Sequence, residues 1–453
     1  MPSTHQTSPE HEFLGINKSF TYGLQHVLTM YGGIVAPPLI VGAAVGLSAA
    51  QIGVLITASL FVGGLATLLQ TLGMKWFGAK LPLVQGVSFA GVATMIAIGT
   101  SGGGFPAILG AVFASAVIGL LIAPFFAKII RFFPPVVTGS VITVIGLSLL
   151  PVALRWTMGG NDKAPNWGSL ENIGLAGLTL LILLVLSKIG SEPIRRLAVL
   201  LSIVLGTIAA CLFGLTDFSK VATGDWFAIP NLFGFGFPVF EIPAILAMCI
   251  VMIVTLTETT ADILAVGEIV GTPIDQQRIA NGLRADMLSS AIAPFFGTFM
   301  QSAFAQNVGL VAITGVKSRF VVAAGGVILV VLGLLPVMGR FIAAIPTPVL
   351  GGAGLVLFGS VAASGIRALG QVNYHDQKNL IIVAVAIAAG MIPIINHDFF
   401  IHFPKWVQTL FHSGISATCV VAVSLNLFFN HWTFAEKNKS VKKIEMNQSM
   451  SHH

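Results

Sequence analysis

The chain has 453 residues, of which 55% are hydrophobic and only 9% are charged. A soluble domain carries about 25% charged residues, so this composition excludes a soluble globular protein and predicts a helical membrane protein with many spans. The net charge of +6 does not indicate nucleic-acid binding, because the basic residues are scattered through short loops.

The three cysteines do not form a metal-binding or redox motif. Cys211, Cys249 and Cys419 all lie within apolar runs and lack a CxxC spacing, so we interpret them as packing residues and expect no cofactor. The polar N-terminal stretch has no apolar core of a signal peptide, so none is expected to be cleaved. The terminal Ser-His-His is interpreted as a tail or the remnant of a tag, without a functional site.

Hydropathy predicts fourteen transmembrane segments, which makes the fold class an all-α polytopic membrane protein. Segments 3 and 10 are short and begin with polar residues. In chain order the predicted spans are 20–45, 49–74, 82–99, 106–128, 134–153, 172–188, 196–214, 242–265, 281–300, 305–318, 321–340, 345–367, 380–396 and 414–430.

The distribution of Lys and Arg predicts the orientation of these spans. The termini and the loops after even-numbered spans hold 18 of the 23 basic residues. Because cytoplasmic loops are enriched in Lys and Arg, both termini should be cytoplasmic. That orientation requires an even number of spans, in agreement with the count.

Two pairs of segments resemble each other across the chain. LVQGVSFAGVATM around Gln85 resembles FAQNVGLVAITGV around Gln306, and residues 133–148 resemble 347–360. Each pair joins span n to span n+7, and an odd shift reverses direction through the membrane. The pattern predicts 7+7 inverted repeats, with chance similarity among Gly- and Val-rich helices as the alternative.

Short spans at matching positions of two repeats indicate a transporter's binding site. We expect spans 3 and 10 each to consist of a short extended strand that leads into a half-helix. The N-termini of these half-helices would direct unpaired N–H groups and the positive ends of their dipoles toward the membrane centre.

Three carboxylates interrupt the apolar sequence of the second half. Glu258 and Asp262 are four residues apart and share a helix face, and Asp286 follows near the next apolar run. A charged residue at mid-membrane costs at least roughly 2.5–3.5 kcal/mol, so such residues normally face a cavity and mark a pathway. Glu258 is predicted to bind substrate. Asp262 either contacts substrate or orients Glu258, and Asp286, with Arg284 nearby, is predicted to be linked to proton movement.

The segment that contains Gln306, Asn307 and Gly309 is a second candidate part of the site, with Thr314 at its end. An amide side chain presents a donor and an acceptor side by side, which suits the edge of a heterocycle. Gly309 would permit close approach of a ring. The alternative is that these amides only join helices by hydrogen bonds.

The first half contributes further candidates. Gln25 and His26 lie together in span 1, where His26 is predicted to hold the site together rather than to carry protons. Ser88 and Phe89, just after Gln85, could supply a hydroxyl contact and an aromatic face for a flat ring. Core packing is the alternative role for Phe89.

These motifs resemble those of the nucleobase–ascorbate transporter family (nucleobase–cation symporter family 2), in particular its bacterial urate and xanthine permeases. The resemblance extends from about residue 20 to 430. It is most specific at Gln25-His26, at Glu258 with Asp262, at Asp286, and at the signature from Gln306 to Gly315.

The resemblance implies a core domain and a gate domain that also forms a homodimer. The core domain would comprise 20–131 and 241–340, and the gate domain 132–240 and 341–432. Residues 1–19 and 433–453 would be cytoplasmic tails. The purine would lie between the two domains, within a lipid membrane.

The resemblance also implies individual roles and a substrate. Glu258 and Gln306 would bind the base, Asn307 would support them, His26 would be structural, and Asp286 would be linked to protons. Val308 replaces a second Asn of many xanthine carriers and Ser88 replaces their Asn, whereas Asp262 is typical of them. The expected function is proton-coupled import of urate, with xanthine as a second substrate.

Other functions remain as alternatives. A uracil permease would differ in the size of the ring that it binds, and an anion exchanger on the same scaffold would have a basic residue near the half-helices. An enzyme is not expected, because the chain contains no HExxH motif.

Overall fold

The computed structural model of the chain describes residues 8–126, 133–219, 221–404, 407–408, 411 and 413–431. The predicted C-terminal tail 433–453, with its Ser-His-His end, lies outside the described residues. So do residues 1–7 of the predicted N-terminal tail, and the basic residues Lys128, Arg131, Lys220 and Lys405.

The first half of the chain is helical apart from one short strand. After a 3₁₀ turn at Pro9–His11, its elements are α1 (Ile16–Ala44), α2 (Ala49–Leu72), β1 (Gln85–Val87), α3 (Val92–Ile98), α4 (Gly104–Ile122), α5 (Pro135–Thr157), α6 (Leu170–Ile189), α7 (Glu192–Arg196) and α8 (Ala198–Leu212). A 3₁₀ turn, Phe89–Gly91, leads into α3, and a π turn, Gly99–Gly103, joins α3 to α4.

The second half has a similar order of elements. It contains α9 (Ile242–Val270), α10 (Gln276–Ile292), β2 (Gln301–Ala303), α11 (Ala305–Thr314), α12 (Arg319–Gly333), α13 (Pro336–Ala343), α14 (Thr347–Leu369), α15 (Gln377–Ile395) and α16 (Gly414–Asn426). The 3₁₀ turns Ala123–Phe125, Ala293–Phe296 and His397–Phe400 and the π turn Leu427–His431 complete the described elements.

A helix overlaps each of the fourteen predicted apolar spans, although not all of these helices are long. Among the described residues, eight helices are long and apolar enough to cross a membrane. Counting α12 and α13, which are bent by 79° relative to each other, as one broken span gives nine. The protein is therefore a multi-pass helical membrane protein, and the count of fourteen stays a prediction.

The two short predicted spans meet at a pair of strands. β1 pairs antiparallel with β2, with Gly86 opposite Ser302 at the centre of the register. Both strands are fully buried. Each leads within two residues into helical structure, so the helical segments after β1 and β2 start from the same place inside the protein.

A hydroxyl group from the preceding long helix holds each strand in the same way. Thr67 of α2 accepts a hydrogen bond from the N–H of Gln85 at 2.9 Å, and its hydroxyl proton lies between two acceptors, the carbonyls of Gly63 at 2.8 Å and Gln85 at 3.3 Å. Ser290 of α10 accepts from the N–H of Gln301 at 2.8 Å and donates to its carbonyl at 3.4 Å. This equivalence is what an internal repeat predicts.

The equivalence corrects the register of the first sequence echo. Sequence similarity aligned Gln85 with Gln306, but the residue that occupies the position of Gln85 in the second half is Gln301. Both open a strand, and both are gripped by a hydroxyl. The echo was misaligned by five residues because the Gln-x-Val pattern at Gln85 recurs at Gln306, whereas Ala303 stands in place of the valine after Gln301.

Close helix packing relies on small residues, as is common in membranes. A Cβ added to Gly64 of α2 would lie 2.6 Å from the backbone N of Val330 and 2.7 Å from the carbonyl of Gly326, both in α12.

The helices form two packed sets. In one, α12 packs on α1 and α2 while α4 packs on α9 and α10; in the other, α14 packs on α5 and α6.

Candidate functional site

The middle of α9 presents a polar stripe toward the paired strands. Thr255, Glu258, Thr259 and Asp262 fall within about 100° of the helix circumference, because they are spaced by three or four residues. Thr255 and Thr259 are buried, and Glu258 and Asp262 are half-buried. The prediction that the two carboxylates share one helix face is therefore confirmed.

Thr255 contacts the start of the first broken helix. Its hydroxyl lies 3.5 Å from that of Ser88, and Ser88 also accepts a hydrogen bond from the N–H of Ala90 at 3.2 Å. Ser88 thereby caps the helical turn that begins at Phe89. Glu258 follows Thr255 by less than one turn on the same face of α9.

Glu258 and Asp262 are not held by structural ion pairs. Among the described residues, no side chain or backbone N–H donates a hydrogen bond to either carboxylate, and no basic group lies within 4.0 Å of them. An ionised carboxylate in such a place lacks compensation. These two groups are therefore available to a ligand or a proton.

Phe89 lies at the boundary between the two packed sets of helices. It is half-buried, and its ring meets that of Phe358 of α14 in an edge-to-face contact with centroids 6.2 Å apart. Phe358 in turn lies 6.3 Å from the ring of Trp156 of α5. The three rings form an aromatic row across the boundary, so one face of Phe89 is engaged in packing.

Asp286 lies deep in the protein rather than near a loop. It is 1% exposed. The Thr259 hydroxyl donates to one carboxylate oxygen at 2.5 Å, and the Gln70 amide donates to the other at 3.2 Å. Arg284, two residues before Asp286, does not pair with it and instead donates to Asn281 at 2.9 Å.

Gln306 and Gly309 line a cavity of about 290 Å³ between α1, α11, α8 and α14. Both residues are exposed. Thr29 of α1 and Ser360 of α14 bring hydroxyl groups to the same cavity. Phe304, the residue before α11, offers no side-chain cap, so the first N–H groups of α11 lack a side-chain acceptor.

Asn307 points away from this cavity and is fully buried. Its amide nitrogen donates to the carbonyl of His26 at 3.0 Å and lies 3.1 Å from the Nδ1 atom of the same residue. His26 is 2% exposed. The pair joins α1 to α11 immediately behind Gln306.

The other predicted residues have supporting positions. The side chain of Gln85 is buried in β1 and has no protein partner of hydrogen-bond geometry. Gln25 is half-buried and its carbonyl accepts from Thr29. Thr314 ends α11, where its hydroxyl donates to the carbonyl of Leu310 and accepts from the N–H of Val316.

The structure divides the predicted substrate-binding residues into two groups. Gln306 and Gly309 line the 290 Å³ cavity, whereas Ser88, Phe89 and Glu258 do not. A neighbouring apolar cavity of about 530 Å³ includes Phe358 and shares five lining residues with the smaller one. These five are Leu28, Gly32, Val199, Leu200 and Leu357.

Sequence reasoning missed several polar residues around the strands. Thr259, Gln70, Thr67 and Ser290 all make hydrogen bonds there and are all buried. Gln70 stands in an otherwise apolar run and could have been noticed. The hydroxyl residues carry no such signal, because Ser and Thr are common in membrane helices and usually bond their own backbone.

The chain matches the model of a permease family over residues 17–398. The uric acid transporter UacT of Escherichia coli (strain K12) is 41% identical over 459 residues, which cover 98% of this chain and 95% of that protein. The uric acid permease PucK of Bacillus subtilis (strain 168) is 42% identical over 408 residues, covering 90% and 94%. The xanthine permease of the same strain is 38% identical over 423 residues, covering 93% and 96%.

Two solved structures share the fold. The transmembrane domain of the cyanobacterial bicarbonate transporter BicA aligns with a TM-score of 0.60 and 15% identity, over 91% of this chain and 98% of that one. Murine Slc26a9, an anion transporter in the inward-facing state, aligns with a TM-score of 0.64 and 14% identity, over 93% and 69%. At such identities the likeness concerns the fold alone.

The family match settles two of the expectations drawn from sequence. Members of this family are permeases, so the prediction of a transporter rather than an enzyme is confirmed. The residues that suggested the resemblance lie within the matched range. This chain belongs to the permease family of nucleobase–ascorbate transporters.

Proposed function

We propose that this chain is a proton-coupled symporter that imports oxidised purines, chiefly urate and also xanthine. The carrying observation is 41–42% identity, over nearly the full chain, to proteins named as uric acid transporters and permeases. The uncompensated carboxylate of Glu258 and the exposed amide of Gln306 support it, because both suit the N–H and C=O edges of a purine.

Substrate binding would be shared between the residues near the two strand–helix junctions. Glu258 accepts hydrogen bonds from ring N–H groups, and Gln306 binds a neighbouring edge of the ring. Ser88 offers a hydroxyl, Gly309 leaves space, and Phe89 stacks on the ring once it separates from Phe358. Asn307 and His26 hold α11 in place, with Gln25, Gln85, Thr314 and Asp262 in support.

Transport would occur by alternating access of a core domain against a gate domain. The core domain comprises 20–131 and 241–340, and the gate domain 132–240 and 341–432. The 290 Å³ cavity supports this division, because α1 and α11 of the core line one side and α8 and α14 of the gate line the other. The seven-plus-seven inverted repeat belongs to the same proposal, supported by the matching Thr67 and Ser290 contacts.

Protons would drive import through Asp286 and Glu258. Protonation from outside favours purine binding and closure, and release inside is followed by deprotonation. The protein would lie in the inner cell membrane, surrounded by lipid, with both termini cytoplasmic, and would dimerise through the gate domain. The excess of Lys and Arg at the termini and after even-numbered spans supports this orientation.

The anion-exchanger alternative is less well supported, although the two solved relatives transport anions. Such an exchanger would place a basic residue beside the half-helices. Among the described residues, none that lines the 290 Å³ cavity is basic. A uracil permease remains a rival that differs in ring size.

The test is uptake of labelled urate and labelled xanthine by cells that express the protein. Each substrate is competed with the other purine and with uracil, and each assay is repeated with a proton uncoupler. We expect urate uptake that is lost with the uncoupler and is inhibited by xanthine more strongly than by uracil. Uptake of neither purine, or purine uptake indifferent to the uncoupler, would overturn the proposal.

A further inference from the structure

Two side chains of the described residues form hydrogen bonds with the carboxylate of Asp286, and the Gln85 amide of β1 lies close enough to interact with it as well. Thr259 of α9 donates its hydroxyl proton to Oδ2, and Gln70 of α2 donates from Nε2 to Oδ1. Asp286 does not line the cavity that contains Gln306. Any influence of Asp286 on substrate must therefore pass through intermediate groups.

Thr259 connects Asp286 to the second strand. While its hydroxyl donates to Asp286, its oxygen accepts the backbone N–H of Ala303 at 3.2 Å. Ala303 is the last residue of β2 and stands opposite Gln85 of β1. α11, with Gln306 on it, begins two residues later.

Gln70 connects Asp286 to the segment that leads into the first strand. Its Oε1 accepts the backbone N–H of Ala79 at 3.0 Å, and its Nε2 also donates to the carbonyl of Gly282 at 3.3 Å. The amide is fully buried, like the Thr259 hydroxyl. One carboxylate is thus one side chain away from the backbone of β2 and one side chain away from the backbone six residues before β1.

A hydroxyl has a single proton, so it can donate to only one acceptor at a time. An ionised Asp286 requires that proton and leaves the Thr259 oxygen as the acceptor for Ala303. A protonated Asp286 becomes a donor itself and no longer needs the Thr259 proton. Its hydrogen bond to Gln70 also loses its charge-assisted character, so both connections change with the charge on Asp286.

We propose that Thr259 and Gln70 are positioning residues that couple the charge on Asp286 to the strand–helix segments carrying Ser88 and Gln306. The inference rests on the proposed proton-coupled function, and it assigns how the proton is communicated to the substrate site. Neither residue touches substrate in this scheme.

The charged groups around Asp286 are few. Glu258 and Asp262 lie on α9, and Arg278 and Arg284 lie on α10 itself, where Arg278 bonds the N-terminal segment and adjacent loops. The other elements packed against α10, namely α2, α4, β2 and the flanking 3₁₀ turns, contain no charged residue. Communication through hydrogen bonds is thus the direct route to both strands.

The first experiment compares Thr259→Val with Thr260→Val. Thr260 is the matched control, because it is the next residue, is equally buried, and donates only to the carbonyl of Leu256 in its own helix. The readouts are membrane abundance, and the KM and maximal rate of urate uptake across a range of external pH. We expect Thr259→Val to lower the maximal rate by about tenfold or to displace its pH profile, as loss of a coupling between two sites would. Thr259→Ser should restore both, and Thr260→Val should behave as the wild type.

A second pair of variants tests the Gln70 connection independently. Gln70→Leu removes the three side-chain hydrogen bonds of Gln70, to Asp286, Gly282 and Ala79. Thr71→Val is its control, since the Thr71 hydroxyl bonds only carbonyls of its own helix. If Thr259→Val does not accumulate in the membrane, Thr259→Ser and the Gln70→Leu pair decide. A wild-type rate and pH profile in Gln70→Leu, or equal losses in each variant and its control, would overturn the inference.

The two proposals fail in different ways. If wild-type protein takes up no purine, the proposed function has failed before any variant is compared. If wild-type uptake is proton-dependent but Thr259→Val and Gln70→Leu both keep the wild-type pH profile, only the coupling route has failed. Urate binding adds a further readout: Thr259→Val should displace the pH dependence of urate affinity when Asp286 is present, and should not displace it in an Asp286→Asn background.

Discussion

The side-chain amide nitrogen of Asn307 contacts two atoms of His26, the backbone carbonyl oxygen at 3.0 Å and the ring Nδ1 atom at 3.1 Å. The second bond requires a neutral imidazole whose proton lies on Nε2. Both residues are buried. The contact joins α1 to α11 across 281 residues of sequence, one residue away from the exposed amide of Gln306.

Asn307→Ala should therefore destabilise the protein as well as impair transport. It leaves the His26 carbonyl and ring nitrogen without their buried donor, which costs about 1–3 kcal/mol. We expect a lower thermal unfolding temperature in detergent, measured by loss of the monodisperse peak on heating. Thr29→Val is the control for stability alone, because the Thr29 hydroxyl bonds only the carbonyl of Gln25. An unchanged unfolding temperature for Asn307→Ala would contradict this role.

Glu258→Gln should abolish urate uptake while leaving the protein in the membrane. The substitution keeps the shape of the side chain but removes the charge and one of its two acceptor oxygens. Because Glu258 has no structural partner among the described residues, stability should not fall. Glu268→Gln on the exposed side of the same helix is the matched control and should transport normally. Full transport by Glu258→Gln would remove the centre of the proposed function.

Gly309→Ala separates a role in binding from a role in folding. An added Cβ meets nothing within 4 Å, and alanine is favoured over glycine in a helix by about 1 kcal/mol. Stability should stay the same or rise, while the methyl group projects into the cavity beside Gln306. We expect the KM for urate to rise several-fold, by about the 1 kcal/mol that a methyl group changes in a tight site. Gly359→Ala in α14, where a Cβ is equally free, should leave KM unchanged; equal KM values for the two variants would speak against a substrate contact at Gly309.

Glu10 gives a pH-dependent contribution to stability outside the membrane spans. Its carboxylate is 1% exposed and accepts from Thr272 at 2.8 Å and from Arg278 at 3.0 Å. Burial raises the pKa of Glu10. Hydrogen bonds from its own backbone, Arg278 and Thr272 lower the pKa by more than burial raises it, so the pKa lies below the ordinary value. A carboxylate with a depressed pKa in the fold stabilises it above the ordinary pKa, and this contribution is lost as the pH falls through the depressed value.

Glu10→Gln should thus unfold at a lower temperature than the wild type near neutral pH, and the difference should shrink below pH ~4. Thermal unfolding measured across this range tests the prediction. Glu12→Gln, two residues on and exposed, should show no such difference at any pH. A gap between Glu10→Gln and the wild type that does not change with pH would refute the assigned protonation state.

Much of the site could be predicted because its chemistry is visible in single residues. Glu258, Asp286 and Gln306 are polar groups in apolar runs, and the cost of placing them in lipid singles them out without any structure. Helical spacing also placed Glu258 and Asp262 on one face. None of these inferences needed a contact between distant parts of the chain.

The remaining features could not be predicted, because they depend on contacts between elements far apart in sequence. Gln301 could not be identified as the counterpart of Gln85 until the strands and their hydroxyl partners were seen. Asn307 and Gln306 are adjacent amides with the same apparent potential, yet one turns inward to His26 and the other lines a cavity. The rotation of α11 about its axis, set by the neighbouring helices, decides which amide faces His26 and which faces the cavity.

By itself, the sequence determined that this protein crosses a membrane many times, that it carries polar groups where lipid would exclude them, and that it resembles purine permeases. Those properties follow from transfer free energies, which each segment contributes locally. Only the tertiary structure decided that Asp286 lies behind the strands, tied to them through Thr259 and Gln70. The hydrogen-bond partners of Asp286 come from helices that meet only in the folded protein. The local sequence around Asp286 therefore does not predict them.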